Sequence, residues 1–226
     1  MKIFKQLLFI SFPLVLIGCK KEKAIELEDF NFNTKVSTFI SDKNKYETYD
    51  NYYKIKNEVI GADTIVDGEF IGSEKPVRIE YTRDISSAND IIARFDEYDF
   101  NAINFATTLD GKIMIFNGVA SKTSLKDTQK FVELLNEKYG KSTKTKGHFV
   151  KPFDVYTWLL KDRIIKYSVV ANDDSNTMKI EVNELKNTIK NNKQESHIEA
   201  YIFIIKKEYQ NELVGKITGG DFVYLE

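Results

Sequence analysis

Apolar and polar residues alternate one for one along several stretches of this chain, and that period of two commits much of it to sheet. Across 76–82, Val77, Ile79 and Tyr81 alternate with Arg78, Glu80 and Thr82. Across 177–183, Met178, Ile180 and Val182 alternate with Lys179, Glu181 and Asn183. Successive side chains of a strand point to opposite faces, so both patterns predict half-buried strands. Residues 198–205 are apolar on both phases of the alternation, as a central strand would be. Further strands are expected near 52–60, 63–71, 102–109, 112–119, 154–160, 163–171 and 222–224. Asp110-Gly111 closes a tight hairpin between the third and fourth of these, and Lys161-Asp162 and 172–176 form polar turns.

The period changes to that of a helix over 124–139. Ser124 with Asp127 three residues on approximates a capping box. Phe131, Leu134, Leu135 and Tyr139 build one apolar stripe, and Gly140 supplies the stop. A shorter helix is expected at about 87–97, capped by Ser86 or Ser87, with Ile91, Ile92 and Phe95 on one face. Residues 184–196 are polar and read as a loop or a frayed helix. The expectation is therefore an α+β fold: an antiparallel sheet with one main helix (about 124–139) and a shorter one (about 87–97). The order of elements over 76–160 is that of a ferredoxin-like split βαβ unit, and a plain antiparallel sheet with one helix packed on it fits as well.

The N-terminus carries a different kind of signal. Lys2 and Lys5 precede an apolar run from Leu7 to Ile17 that is interrupted only by Ser11 and Pro13. A membrane-spanning helix needs roughly 20 apolar residues, so the run is too short to cross and fits the hydrophobic region of a secretory signal peptide. It ends in Leu16-Ile17-Gly18-Cys19, which resembles the lipobox of bacterial lipoproteins. That resemblance implies cleavage before Cys19 and acylation of its sulfur and new amino terminus. The residue after the cysteine is Lys20 rather than the aspartate that retains many such lipoproteins at the inner membrane, so the resemblance implies the outer membrane. The face, periplasmic or surface, stays open. The chain then divides into a signal peptide (1–18), a lipid-anchored tether (19–29) and a single globular α+β domain (30–226) without internal repeats.

Composition narrows the partners. Without residues 1–18 the chain keeps 31 basic and 34 acidic residues, a net charge of −3, and only four basic residues are arginine. Nucleic-acid binding wants a strongly basic face, so nucleic acid is not an expected partner. Cys19 is the only cysteine, so once acylated it leaves no thiol for a disulfide or thiolate metal site.

No motif for catalysis, metal or cofactor stands out. His148 and His197 belong to no triad or metal spacing. Asp173, Asp174 and Asn176 lack the glycine and closing glutamate of a calcium loop, so a hairpin turn is the expectation. Trp158 lies among apolar neighbours and reads as core. The cluster Tyr46, Tyr49, Tyr52 and Tyr53 is a candidate ligand contact, because tyrosine gives rigid amphipathic contact area and stacks on sugar faces; packing on the sheet is its plainer reading. Two function classes follow. One is a non-catalytic binding lipoprotein of the envelope, of immunity type or capturing a protein or glycan ligand. The other is a lipid-anchored hydrolase of glycan or peptide, which would need a pocket with convergent polar groups and perturbed acids.

Overall fold

The computed structural model describes residues 24–41, 43, 45, 46, 51–56, 58–67, 74–85, 90–172, 178–183, 188–193 and 196–226. In chain order the strands are β1 (Ile25–Glu26), β2 (Tyr52–Ile55), β3 (Glu58–Asp67), β4 (Lys75–Ile85), β5 (Ala93–Phe95), β6 (Tyr98–Phe100), β7 (Ala102–Thr107) and β8 (Ile113–Thr123). Helix α1 (Leu125–Tyr139) follows, then β9 (Thr143–Phe149), β10 (Lys151–Leu159), β11 (Arg163–Asn172), β12 (Met178–Asn183), β13 (Thr188–Lys193), β14 (His197–Lys206) and the short α2 (Gln210–Leu213). Nine strands form one antiparallel sheet in the order β2-β3-β4-β7-β8-β14-β11-β10-β9. A small sheet β1-β5-β6 and the separate hairpin β12-β13 complete the architecture.

Alternation along the central strands sends side chains to two faces, and each face has its own cover. On the first, Phe105, Phe116, Trp158, Tyr167 and Ile202 meet Phe131 and Leu135 from α1, Phe95 and Phe100 from the small sheet, and Leu27, Phe30 and Phe32 from the N-terminal segment. On the second, Ala102, Val119, Val155, Tyr201 and Phe203 lie beneath Leu213, Ile217, Phe222 and Leu225 of the C-terminal segment. β14 is apolar on both phases because it is covered on both faces between β8 and β11.

Helix α1 follows the local rules of its sequence. The Ser124 hydroxyl accepts from the Asp127 N–H at 3.1 Å, and Gly140 ends the helix at φ 84°. Trp158 pins the exit by donating its indole N–H to the Gly140 carbonyl at 3.0 Å.

Several expectations need correction. The expected helix at 87–97 is not found in its described part, 90–97: Ala93–Phe95 and Tyr98–Phe100 are strands joined by a turn at Asp96 (φ 53°), stabilised by the parallel pairing of β1 on β5, and 87–89 lie outside the described residues. The ferredoxin-like unit over 76–160 is also absent. It would set β4 between β8 and β10, whereas β4 lies between β3 and β7, and β14, from far along the chain, takes the place beside β8. Part of the expected tether is folded, since Ile25–Glu26 is a strand and Leu27 is fully buried. The polar residues Thr188–Lys193 form β13, and Gly220–Tyr224 is a 3-10 segment rather than a strand. The lysine-rich β9, with no alternation of its own, is an edge strand fixed by pairing to β10. Among the described residues β12 pairs only with β13, apart from the main sheet; the turn at 173–176, the side-chain packing of 178–183 and Cys19 lie outside what is described.

Candidate functional site

A cleft of about 550 Å³ opens where α1 passes the β5–β6 turn. Asp96, Glu97, Tyr98 and Asp99 come from the turn and β6, Ala120, Lys122 and Thr123 from β8, and Asp127, Lys130, Phe131 and Leu134 from α1. The helical stripe supplies the apolar floor, since Phe131 also anchors the core, while the first two turns of α1 supply Asp127 and Lys130 at the rim. The Tyr98 ring stacks on Phe131 with centroids 4.3 Å apart. Its hydroxyl lies 3.0 Å from the Thr123 Oγ1 and 3.1 Å from the Tyr167 hydroxyl, and burial raises the pKa of both phenols, that of Tyr167 well above its ordinary value. Both therefore stay neutral and can donate.

The rim is charged and partly committed. Asp96 pairs with Lys138 at 2.9 Å, Asp99 pairs with Arg94 at 2.7 Å, and Asp127 accepts from the Ser124 hydroxyl at 2.6 Å. Glu97, Lys122 and Lys130 make no ion pair among the described residues. The arrangement offers two cations, a carboxylate and a neutral hydroxyl relay around an aromatic floor, which suits a polar ligand with an anionic group.

A second polar assembly is buried under the C-terminal segment. Arg83 holds Asp221 through two bonds, Nε to Oδ2 at 2.6 Å and Nη2 to Oδ1 at 3.1 Å, and donates to the Ser121 hydroxyl at 3.1 Å. Burial works against the Arg83 charge, but Asp221 holds its pKa above the ordinary value. Asn104 bridges Asp221 at 2.9 Å and Asn117 at 2.6 Å. β4 and β7 pair only from Ile79 to Tyr81; past that point the Arg83 N–H bonds the Asn104 side chain instead of the ladder. Glu58, 1 % exposed, accepts from the Ile103 N–H at 2.9 Å through one oxygen, while the other has no hydrogen-bond partner. Burial pushes its pKa up to about 8, against the opposing pull of that N–H and of Arg83. Further along, the Tyr201 hydroxyl donates to Glu199 at 2.7 Å; burial and the Glu199 charge raise its pKa.

Tyr46, Tyr52 and Tyr53 lie on the β2 edge and line no part of the cleft. Tyr53 packs against the first core, Tyr52 lies across Gly61, and Tyr46 keeps 36 % exposure beside them, its N–H donating to the Tyr52 carbonyl at 2.8 Å. Tyr49 lies outside the described residues. The structure thus gathers Tyr46, Tyr52 and Tyr53 on one edge but commits Tyr53 to packing. His148 is exposed on β9, its N–H bonded to the Glu226 side chain at 3.1 Å. His197 opens β14, with Nε2 3.7 Å from Glu199, in a shallow hollow with Asn172 and Ser196. The two histidines do not meet. Sequence reasoning missed the cleft residues because Asp96–Asp99 fell within or beside the misread helix. The signal that could have found them is the charged first turns of α1 following Lys122-Thr123.

Among the described residues no group of three histidine, cysteine or acidic side chains is placed to hold a metal, and no helix is long and apolar enough to cross a membrane. No protein-family model, curated protein or solved structure matches the chain.

Proposed function

We propose that this chain is a lipid-anchored protein of the bacterial outer membrane whose folded domain is a binding module, and that the cleft between α1 and the β5–β6 turn is its ligand site. The address rests on the basic n-region, the short apolar run and Leu16-Ile17-Gly18-Cys19. The observation that carries the binding reading is the pairing, in one open cleft, of a stacked Tyr98–Phe131 floor with two exposed lysines that have no ion-pair partner among the described residues. Aromatic floors with a few polar groups at the rim give orientation and specificity to polar ligands. A glycan or peptide segment bearing a carboxylate or phosphate fits that chemistry. Glu58, the acid whose pKa is most clearly displaced toward neutrality, is what a hydrolase would use, but it is buried against the Ile103 N–H and lines neither the cleft nor the hollow at His197.

Capture of envelope ligands by the detergent-solubilised full-length protein tests the reading. Lys122→Glu/Lys130→Glu should lose the captured ligand, while Tyr46→Ala/Tyr52→Ala and His148→Ala/His197→Ala keep it. Loss of capture only in the tyrosine variant would move the site to the β2 edge. Turnover of a glycan or peptide lost only in the histidine variant would make the protein an enzyme. The anchor is read separately, by fatty-acid labelling that Cys19→Ser abolishes.

A further inference from the structure

The pairing of β1 on β5, a few residues after Cys19, fixes which side of the domain faces the bilayer. The Ile25 N–H donates to the Ile92 carbonyl at 2.9 Å and the Leu27 N–H to the Arg94 carbonyl at 2.7 Å, so β1 is laid in parallel register along β5 and Leu27 is buried behind it. The chain cannot pivot after Ala24. From Cys19 to Ala24 there are five residue steps, which even fully extended span at most about 18 Å. The headgroup layer takes up about 5–8 Å of that reach. A compact chain of about 200 residues is roughly 40 Å across, so a leash of this length holds one particular side of the domain toward the membrane.

That side is defined by what surrounds Ala24. Ile91, next to the Ile92 carbonyl that receives β1, is 39 % exposed. Beside it stands the β2–β3 turn, where Lys56, at φ 52°, donates its ammonium to the Ile91 carbonyl. An exposed branched aliphatic and a long-stemmed cation next to it are the side chains that settle at a headgroup boundary, the first in the apolar margin and the second reaching back to phosphate.

We propose that Ile91 and Lys56 form the membrane-facing contact of the domain, seated on the headgroup layer of the bilayer that holds Cys19. The inference rests on the lipid-anchor reading. It places the Asp96–Glu97 turn, and with it the cleft mouth, beyond the other end of β5, five residue steps or about 16 Å along the chain from Ile91.

The test uses the lipidated full-length protein in vesicles containing spin-labelled quencher lipids, with a fluorophore on a cysteine introduced as Ile91→Cys or, in the turn beyond the far end of β7, Leu109→Cys. Flotation with the vesicles, abolished by Cys19→Ser, reads the anchor by itself. In the floating protein, quenching should be strong at position 91 and weak at 109. Inserting about 20 Gly/Ser residues after Lys23 lengthens the leash to an r.m.s. reach of about 25 Å and should erase most of that difference. Equal quenching at both positions, or stronger quenching at 109, in protein that floats overturns the orientation and leaves the anchor intact. A wild-type chain that does not float overturns the anchor reading, and this inference with it.

Discussion

The two faces of the nine-stranded sheet are built from the same strands and held by different forces. The first face is dry and aromatic: Phe105 and Phe116 stack at 5.9 Å, Tyr81 stacks on Phe105 at 4.4 Å, and Tyr167 meets Phe131 edge-on at 4.9 Å. The second face has a comparable apolar layer but carries a polar inlay, with Arg83, Asn104 and Asn117 from the sheet and Asp221 from the segment above. Ser168 adds a hydrogen bond of 2.7 Å to the Tyr224 carbonyl. Burial of area attracts without direction, whereas a satisfied polar network demands one alignment. Helix α1, the small sheet and the N-terminal segment cover the dry face with apolar side chains. The C-terminal cover has only α2 and two short 3-10 segments, and the inlay fixes where it lies. The cleft opens at the margin of the dry face, between α1 and the β5–β6 turn.

The largest loss of stability is expected on the dry side. Phe131→Ala removes a ring that contacts Phe95, Tyr98, Phe100 and Tyr167, and should cost about 3–5 kcal/mol by chemical denaturation, with the cleft floor lost as well. On the polar side Arg83→Ala leaves Asp221 beside Asn104 without its cation and should cost about 2–3 kcal/mol, less than for a fully buried pair because both partners keep some exposure. The double variant Arg83→Met/Asp221→Leu should recover most of that loss in a double-mutant cycle; additive losses would mean that the pair does not hold the cover.

Glu58 gives the comparison a pH axis. Its folded-state pKa of about 8 lies above the ordinary 4.5, so between those values the folded chain keeps a proton that the unfolded chain has released. Its contribution to stability is therefore full below pH 4.5, falls as pH rises through the window and levels off above 8. Glu58→Gln should remove this slope and gain on the order of 2 kcal/mol at pH 8, read from denaturation midpoints across pH. The smallest effect is expected at the tip between β9 and β10, where Val150 is 81 % exposed at φ 60°, a conformation that costs a β-branched residue. Val150→Gly should raise stability by up to about 1 kcal/mol.

These differences also show what could be read from the chain beforehand. Helix α1 was legible because its cap, stripe and stop all act within a few residues: Ser124 on Asp127, Phe131 with Leu135, and Gly140 at positive φ. The Asp110-Gly111 hairpin was legible for the same reason. The stretch 87–97 misled because the spacing of Ile91, Ile92 and Phe95 fits a helix, and what overrides it is β1, nearly 70 residues away in sequence. β9 was invisible because an edge strand rich in lysine carries no alternation, and its lysines serve to pair Asp154 and to discourage further strand addition. The cleft depends on the hidden pairing of β1 on β5, so none of its turn residues announced themselves. The polar inlay joins Arg83 to Asp221 across 138 positions, beyond any local pattern.

Whether the cleft is the ligand site is tested most directly by lysine footprinting of the full-length protein, in its native envelope and after purification. Lys122 and Lys130 line the cleft; Lys126, exposed on the same helix, does not, and serves as the reference. Acylation of Lys122 and Lys130 should be suppressed in the envelope and restored in the purified protein, with Lys126 equally reactive in both. Equal reactivity of all three lysines in both settings would contradict the assignment of the cleft.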